Sequence, residues 1–215
     1  MKRHEDASRS KSTNQVNFVD YSSSMFDYPV FLNLVGVDVL VVGGGPVGLR
    51  KVAGLARGGA RVRLVAPEVA STFDRSLVVE HRRRPYRTAD LDGMRLVITA
   101  TGVPEVDSRV SAEATTAGQW VNAADRPEHC SFILPAVARA SPLSVAVSSD
   151  GASPALAGWV RDRAKAVLSD EVVELAHELA QRRAAIHAAG GSTEEVDWAS
   201  IIDSTLSTQP PACRP

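Results

Sequence analysis

Short apolar segments alternate with segments of helical periodicity along the first half of the chain. The apolar segments predict strands over residues 37–42, 61–66, 77–80, 95–101 and 120–124. Between them, apolar positions recur at helical spacing over residues 46–57 and 107–117, and glycines follow both segments. This alternation predicts a doubly wound α/β fold with a parallel sheet, in which ligands bind at the carboxyl ends of the strands.

The second half of the chain has a different pattern. Residues 131–136 and 143–148 predict two further strands, joined as an antiparallel pair. After Pro154 the periodicity predicts helices over residues 155–168, 170–189 and 193–206. Both ends of the chain lack such a pattern, so we expect a disordered leader over residues 1–27 and a flexible tail over residues 207–215.

The composition of the chain argues against nucleic acid and membranes as binding partners. The 24 Lys and Arg residues against 25 Asp and Glu residues give a net charge of -1, so no overall positive field favours nucleic acid or a membrane surface. No apolar run has the length of a membrane span, and the polar N-terminus does not resemble a signal peptide, so we expect a cytoplasmic protein. The cysteines, Cys130 and Cys213, form neither a disulfide framework nor a C-x-x-C zinc motif.

The glycine turn after the first strand is the most specific local motif. It matches G-x-G-x-x-G at Gly43, Gly45 and Gly48, with a strand before it and a helix after it. In dinucleotide-binding folds the first glycine makes the turn, the second lets the backbone approach a pyrophosphate, and the third lets the helix pack closely on the sheet. Such a turn can also be a plain tight connection, but the flanking strand and helix favour a dinucleotide site.

Four segments, in order, carry a resemblance to a known family. They are Tyr28–Leu32, Val41–Gly45 with Arg50-Lys51, Asn122–Asp125 followed by Ser131–Pro135, and Val145–Pro154. The chain resembles the siroheme synthase family, in particular its precorrin-2 dehydrogenase module, which in several members is also a sirohydrochlorin ferrochelatase. The resemblance implies NAD-dependent oxidation of precorrin-2 to sirohydrochlorin, with Fe²⁺ as a further substrate in the bifunctional members.

The resemblance also implies an overall organisation. The expected fold is α/β, a Rossmann-type doubly wound parallel sheet with a dimerisation segment and a C-terminal helical domain, assembled as a homodimer. The expected units are a leader over residues 1–27, an NAD-binding Rossmann domain over 28–127, a dimerisation segment over 128–152, a helical domain over 153–206 and a tail over 207–215.

Asp125 is the catalytic candidate. It follows the carboxyl end of the fifth predicted strand, where a carboxylate can accept a proton as hydride leaves the substrate. Asp125-Arg126-Pro127 is also ordinary turn chemistry, but the family's essential aspartate falls at this position. Arg126 departs from the family pattern, which usually has a small apolar residue there, and it could change the charge around Asp125.

Substrate contacts are expected from a serine turn and from nearby basic residues. Ser149 matches the family's serine, and it lies beside Ser148 in a turn that leads to a helix capped by Ser153. A well-capped helix without a ligand is the alternative interpretation of Ser153. Because precorrin-2 carries carboxylate arms, basic side chains are expected in its pocket, and the nearest candidates are Arg126, His129, Arg139, Arg161, Arg163 and Lys165. The pair His129-Cys130 has too few ligands for a metal site, so we predict packing there and no bound metal.

The cofactor site is expected on three loops. Its residues are Gly43, Gly44, Gly45, Pro46 and Val47 of the glycine turn, Pro67 and Glu68 after the second strand, and Thr101 after the fourth. An NAD site usually has an acidic residue at the end of the second strand, whereas this chain reaches Glu68 only after Ala66-Pro67. Arg61 and Arg63 lie on the same strand, so charge alone leaves NADP open, and the family precedent favours NAD.

Two functions from other classes remain as alternatives. One is a lyase that inserts iron and transfers no hydride, and the other is a dinucleotide-binding scaffold without catalysis. Sequence does not separate bifunctional members of the family from members that are dehydrogenases alone, because both activities can use one pocket and Asp125.

Overall fold

A computed structural model of the protein describes Phe26 and residues 28–206. The predicted leader, apart from Phe26, and the predicted tail over residues 207–215 lie outside the described residues. Among the described helices, none is both long enough and apolar enough to cross a bilayer.

The first half of the chain forms a five-stranded parallel sheet in the order β3-β2-β1-β4-β5. The strands are β1 Asp38–Val42, β2 Arg61–Val65, β3 Glu80–Arg82, β4 Leu96–Thr99 and β5 Trp120–Ala123. Helix α1, Pro46–Arg57, follows β1, and α2, Pro104–Thr116, follows β4. The predicted α/β Rossmann-type sheet is confirmed. Because the strand order reverses between β1 and β4, the ligand crevice of such a sheet lies at the carboxyl ends of these two strands.

Both faces of the sheet are buried, which explains why its central strand is apolar at successive positions. Leu40 and Val42 of β1 belong to one core cluster, together with Val110 of α2. Val39 and Val41 of β1 belong to the other cluster, which includes residues of α1. Successive side chains of a strand point to opposite faces, so a strand covered on both sides loses the alternation of a half-buried strand.

Up to residue 206, the second half of the chain forms a hairpin and three α-helices. Strands β6, Ala136–Ala140, and β7, Leu143–Val147, pair as antiparallel neighbours, and α3, Pro154–Ala164, packs on them. The helices α4, Asp170–Ala188, and α5, Trp198–Leu206, contact each other.

Several predicted boundaries are wrong. The third strand lies at Glu80–Arg82 and not at residues 77–80, because the Asp74 carboxylate caps a short 3₁₀ turn at Arg75–Leu77. Helix α2 starts at Pro104 and not at Asp107, since proline suits the first position of a helix. At the C-terminal end, α3 stops at Ala164 and α5 begins at Trp198, where longer helices were predicted.

The largest correction concerns the strand predicted over residues 131–136. The observed strand β6 begins at Ala136, where the predicted strand ends. It therefore includes most of residues 137–142, which were predicted to connect the two strands. Ser131 lies instead beside β5, because its backbone N–H donates to the Val121 carbonyl at 2.8 Å and its Oγ accepts from the Val121 N–H at 2.7 Å. These contacts with β5 hold the segment before Ala136 at the edge of the large sheet.

Candidate active site

The glycine turn after β1 is too crowded for side chains at two positions. Gly43 has a φ of 118°, and a Cβ there would lie 2.2 Å from the Ala100 carbonyl oxygen. A Cβ on Gly48 would lie 2.2 Å from the Gly43 carbonyl oxygen, so this glycine lets α1 pack against the turn. The first and third glycines of the motif are therefore required by the fold itself.

The middle glycine faces open space. A Cβ on Gly45 would meet no protein atom within 4 Å, so packing does not require a glycine at this position. Gly45 is also the N-cap of α1, where it offers no side-chain hydrogen bond, and the first turn of α1 contains no acidic residue. Uncapped N–H groups with free space above them fit a pyrophosphate, which a side chain at Gly45 would obstruct.

The loop after β2 lies against the same turn. A Cβ on Gly44 would be 2.1 Å from the Glu68 carbonyl oxygen, which shows that the predicted Pro67-Glu68 segment borders the glycine turn. Arg61 pairs with Asp38 at 3.0 Å, and Arg63 pairs with Glu80 at 2.7 Å. Both arginines of β2 are thus engaged in ion pairs within the sheet.

The loop after β4 is held by a buried carboxylate that the sequence analysis did not identify. The Asp107 Oδ1 atom accepts a hydrogen bond from the Thr99 hydroxyl, one from the Thr101 hydroxyl at 2.8 Å and one from the Thr101 N–H at 3.0 Å. Because Ala100 faces Gly43, these bonds place Thr101 next to the glycine turn. The predicted cofactor residues of the three loops are therefore neighbours at the carboxyl ends of the strands.

Asp125 lies in a tight turn after β5. It is exposed and has a φ of 60°, a left-handed conformation that is uncommon outside glycine and that Asp tolerates better than most residues. The Ala124 N–H donates to the Thr99 carbonyl at 2.9 Å, and the Arg126 N–H donates to the Ala123 carbonyl at 3.2 Å. The turn is thereby joined to β4 and closed on itself, with the carboxylate at its tip.

The Cys130 thiol supports this turn from inside. It accepts from the Ala123 N–H at 3.1 Å, and its S–H is within donating distance of the Ala123 and Arg126 carbonyls, at 3.3 and 3.2 Å. Burial raises the pKa of the thiol above its ordinary value, which keeps it protonated. Cys130 is therefore a structural group of the turn that carries Asp125.

One cavity brings Asp125 together with three of the predicted substrate residues. It has a volume of about 740 Å³ and extends from α1 past the Asp125 turn to the hairpin and the start of α3. The predicted residues that line it are Val47, Asp125, Arg126, Ser148 and Ser149. The predicted cofactor residues other than Val47 are not among its lining residues.

The serine turn is held by its own hydroxyls. Ser149 Oγ accepts from the Ser153 N–H at 3.0 Å, and Ser148 Oγ accepts from the Asp150 N–H at 3.0 Å. Ser153 Oγ accepts from the Leu156 N–H at 3.2 Å and caps α3, as both interpretations of Ser153 predicted. Ser149 keeps its hydroxyl proton for donation, so it can bind an anionic group in the cavity.

His129 does not join these residues. Its ring lies near the Ser108 hydroxyl of α2, with Nε2 and Oγ 3.4 Å apart, and it is not among the residues that line the cavity. Among the described residues, no group of three or more His, Cys, Asp and Glu side chains is placed to hold a metal ion. The neighbours His129 and Cys130 thus point to different parts of the structure.

Two basic cavity residues belong to the segments that carry the family resemblance but were not predicted for the site. Arg50 and Lys51 of α1 line the cavity with Val47, which precedes them by one helical turn. Burial lowers the pKa of Lys51 below its ordinary value; the Arg50 charge adds to this effect and the Asp125 charge opposes it. The sequence could have predicted them, because residues three and four positions after Val47 lie on the same face of a helix.

The fold and these loops define a dinucleotide-binding α/β protein with a cavity, lined in part by charged side chains, beside the glycine turn. A family model described as NAD(P)-binding matches residues 30–136, and one described as the central part of the sirohaem biosynthesis protein matches residues 141–163. The chain belongs to the siroheme synthase family.

Individual relatives agree with this assignment. The chain is 37% identical to a siroheme synthase of Methylobacillus flagellatus over 84% of its own length, and 45% identical to one of Pseudomonas entomophila over 70%. It spans only 40% and 33% of the lengths of these two relatives. The solved structure of SirC, precorrin-2 dehydrogenase, matches with a TM-score of 0.64 and 25% identity, covering 86% of this chain and 90% of that one.

Proposed function

We propose that the protein is a precorrin-2 dehydrogenase, which oxidises precorrin-2 to sirohydrochlorin with NAD. The observation that carries this proposal is the shared cavity of Asp125 and Ser149 next to a dinucleotide-binding turn. The family membership and the likeness to a precorrin-2 dehydrogenase structure support the same reaction.

The reaction removes a hydride and a proton from the macrocycle. A nicotinamide dinucleotide, held by the glycine turn and the loops after β2 and β4, would supply the hydride acceptor. The Asp125 carboxylate accepts the proton, and its place at the tip of the turn after β5 lets it reach a substrate in the cavity. Ser148, Ser149 and Arg126 bind carboxylate arms of the substrate through hydroxyl and guanidinium donors. We retain His129 only as a candidate, since its ring packs near α2.

The cofactor preference is proposed to be NAD. Glu68 supplies the acidic group that a ribose 2′-hydroxyl requires, and its backbone already borders the glycine turn. Arg61 and Arg63, which had left NADP open, pair with Asp38 and Glu80 and so are not available to a 2′-phosphate. Steady-state rates measured with NAD and with NADP in parallel test this preference.

The proposal includes a homodimer in the cytoplasm. Helix α3 leaves Leu156 and Trp159 each 55% exposed, next to the hairpin on which this helix packs. Such apolar area supports an interface formed by the middle segment, residues 128–152, and the adjoining helix. A cytoplasmic location supplies nicotinamide dinucleotides and keeps the Cys130 thiol reduced.

Iron insertion into sirohydrochlorin stays a separate prediction, with Fe²⁺ as a substrate. It would use the same cavity, where the exposed Asp125 carboxylate can accept the two pyrrole N–H protons one after the other and release each to water. Incubation of the protein with sirohydrochlorin and Fe²⁺, without NAD, separates a chelatase from a dehydrogenase.

The test of the main proposal uses purified protein, precorrin-2 and NAD, followed by absorbance of sirohydrochlorin. The wild type should form product only when NAD is present, and Asp125→Asn should lose at least about 100-fold in kcat while its NAD affinity is unchanged. Asp203→Asn, a change at an exposed carboxylate of α5, is the matched control and should keep wild-type rates. A wild type that shows no NAD-dependent change, or an Asp125→Asn variant with normal turnover, refutes the proposal.

A further inference from the structure

Helix α1 presents one face to the substrate cavity. Val47, Arg50 and Lys51 are three and four residues apart, which places them on the same side of the helix, and all three line the cavity. The helix begins at the glycine turn, so this face continues directly from the pyrophosphate site into the substrate cavity. A residue on this face can therefore fix the position of the substrate relative to the cofactor.

Of the two basic residues on this face, Lys51 is the less exposed, so its charge gains more from an anionic partner in the cavity. Its side chain is half-buried, and burial together with the Arg50 charge lowers the pKa of its ammonium group. The Asp125 carboxylate, on the turn that forms the facing wall of the cavity, acts in the opposite direction. A second carboxylate brought into the cavity by a ligand would stabilise this ammonium group further, because a desolvated charge gains most from a direct partner.

Arg50 and Arg126 line the cavity with Lys51, whereas the candidate arginines of α3, Arg161 and Arg163, have partners of their own. Arg126 has Glu128 at 3.9 Å, and Arg161 pairs with Asp162 at 2.6 Å. The Arg163 guanidinium stacks on Trp159, with 3.9 Å between its carbon and the ring centroid. Among the described residues Lys51 has no ion-pair partner within 4 Å, and the carboxylate that acts on it is Asp125 of the cavity itself.

We infer that Lys51 binds a carboxylate arm of the tetrapyrrole and thereby fixes the edge of the macrocycle beside Asp125. The inference rests on the proposed function, and it assigns a specificity-determining residue to the same cavity. It makes α1 a shared support: its N-terminus holds the dinucleotide, and its second turn holds the substrate.

Binding of sirohydrochlorin, followed by its absorbance or fluorescence without turnover, tests the inference directly. Lys51→Gln keeps the length of the side chain and removes its charge. It should raise the Kd for sirohydrochlorin and the KM for precorrin-2 about 10-fold, as expected for one lost charge-assisted hydrogen bond, with kcat and the Kd for NAD within about twofold of wild type. Lys51→Arg should recover most of the affinity.

The matched control is Arg57→Gln, which removes a positive charge from the last turn of α1, away from the cavity. This variant should bind sirohydrochlorin as the wild type does. Circular dichroism confirms that each variant is folded; if Lys51→Gln does not fold, Lys51→Met is measured in its place.

The outcomes separate the inference from the proposed function. Unchanged Kd and KM in the Lys51→Gln variant, with an active wild type, would overturn the inference and leave the proposed function intact. An equal loss of NAD affinity would also overturn it, because Lys51 would then act on the cofactor. A wild type that neither binds sirohydrochlorin nor oxidises precorrin-2 would refute the proposed function itself.

Discussion

Alanine substitutions at Gly45 and Gly48 should separate the two reasons for a glycine in the dinucleotide motif. At Gly45 the added Cβ meets no protein atom within 4 Å and the φ of -73° suits alanine, so the fold accepts it. Loss of an N-cap glycine costs helix stability, whereas lower entropy of the unfolded chain offsets part of that cost. The free energy of unfolding should therefore change by no more than about 1 kcal/mol.

Gly48→Ala should have the opposite profile. Its Cβ would lie 2.2 Å from the Gly43 carbonyl oxygen, more than 1 Å inside an ordinary contact of about 3.4 Å. The obstacle is backbone, so α1 must move away from the sheet, and overpacking of this kind costs about 1–3 kcal/mol. Unfolding in urea, followed by circular dichroism, measures this loss.

Affinity for NAD distinguishes the ligand-facing position from the packing position. Gly45→Ala should weaken NAD binding at least about 10-fold, or about 1.4 kcal/mol, at near-normal stability, because the methyl group occupies space expected for the pyrophosphate. Gly54→Ala, at another open glycine of α1, is the control and should keep wild-type affinity. Normal NAD binding by Gly45→Ala, measured by titration calorimetry, would refute the assignment of that space to the cofactor.

Two further predictions concern stability and the turn that carries Asp125. Hydrogen bonds from Arg84, the Arg87 N–H and Arg82 outweigh the opposing effect of burial and hold the pKa of Asp90 far below its ordinary value. Asp90→Asn should lower the free energy of unfolding by about 3–5 kcal/mol, with exposed Asp92→Asn near wild type. Because folding lowers the pKa of Asp90, its contribution to the free energy of unfolding is complete above about pH 4 and is lost as the pH falls further. Urea titrations of the wild type that show no such dependence on pH would contradict this. Cys130→Ala should lower kcat about 10-fold through a looser Asp125 turn and leave the Kd for NAD unchanged, with partial recovery in Cys130→Ser, and unchanged kcat would exclude the supporting role.

The local sequence pattern was sufficient to predict those elements whose bounds depend on residues adjacent in the chain. Helix α1 has the predicted bounds, Pro46–Arg57, because proline at its start and glycines at its end act on adjacent backbone. The first strand is recognisable from its apolar run, since a strand covered on both faces needs apolar side chains at successive positions. The residues of the glycine turn follow from the same local geometry, and Asp125 and Ser149 came from family motifs of a few residues each.

The features that the sequence pattern did not predict depend on contacts between segments that are distant in the chain. Ser131 binds Val121 of β5, which moves the next strand to Ala136, and no periodicity in residues 131–136 records that partner. Lys51 joins the cavity, although His129 is nearer to Asp125 in the chain, because β1 and β5 both pair in parallel with β4, which brings the start of α1 and the end of β5 to the same edge of the sheet. Composition and periodicity report what each segment can bury, whereas membership of the cavity depends on which strand ends the sheet order brings together.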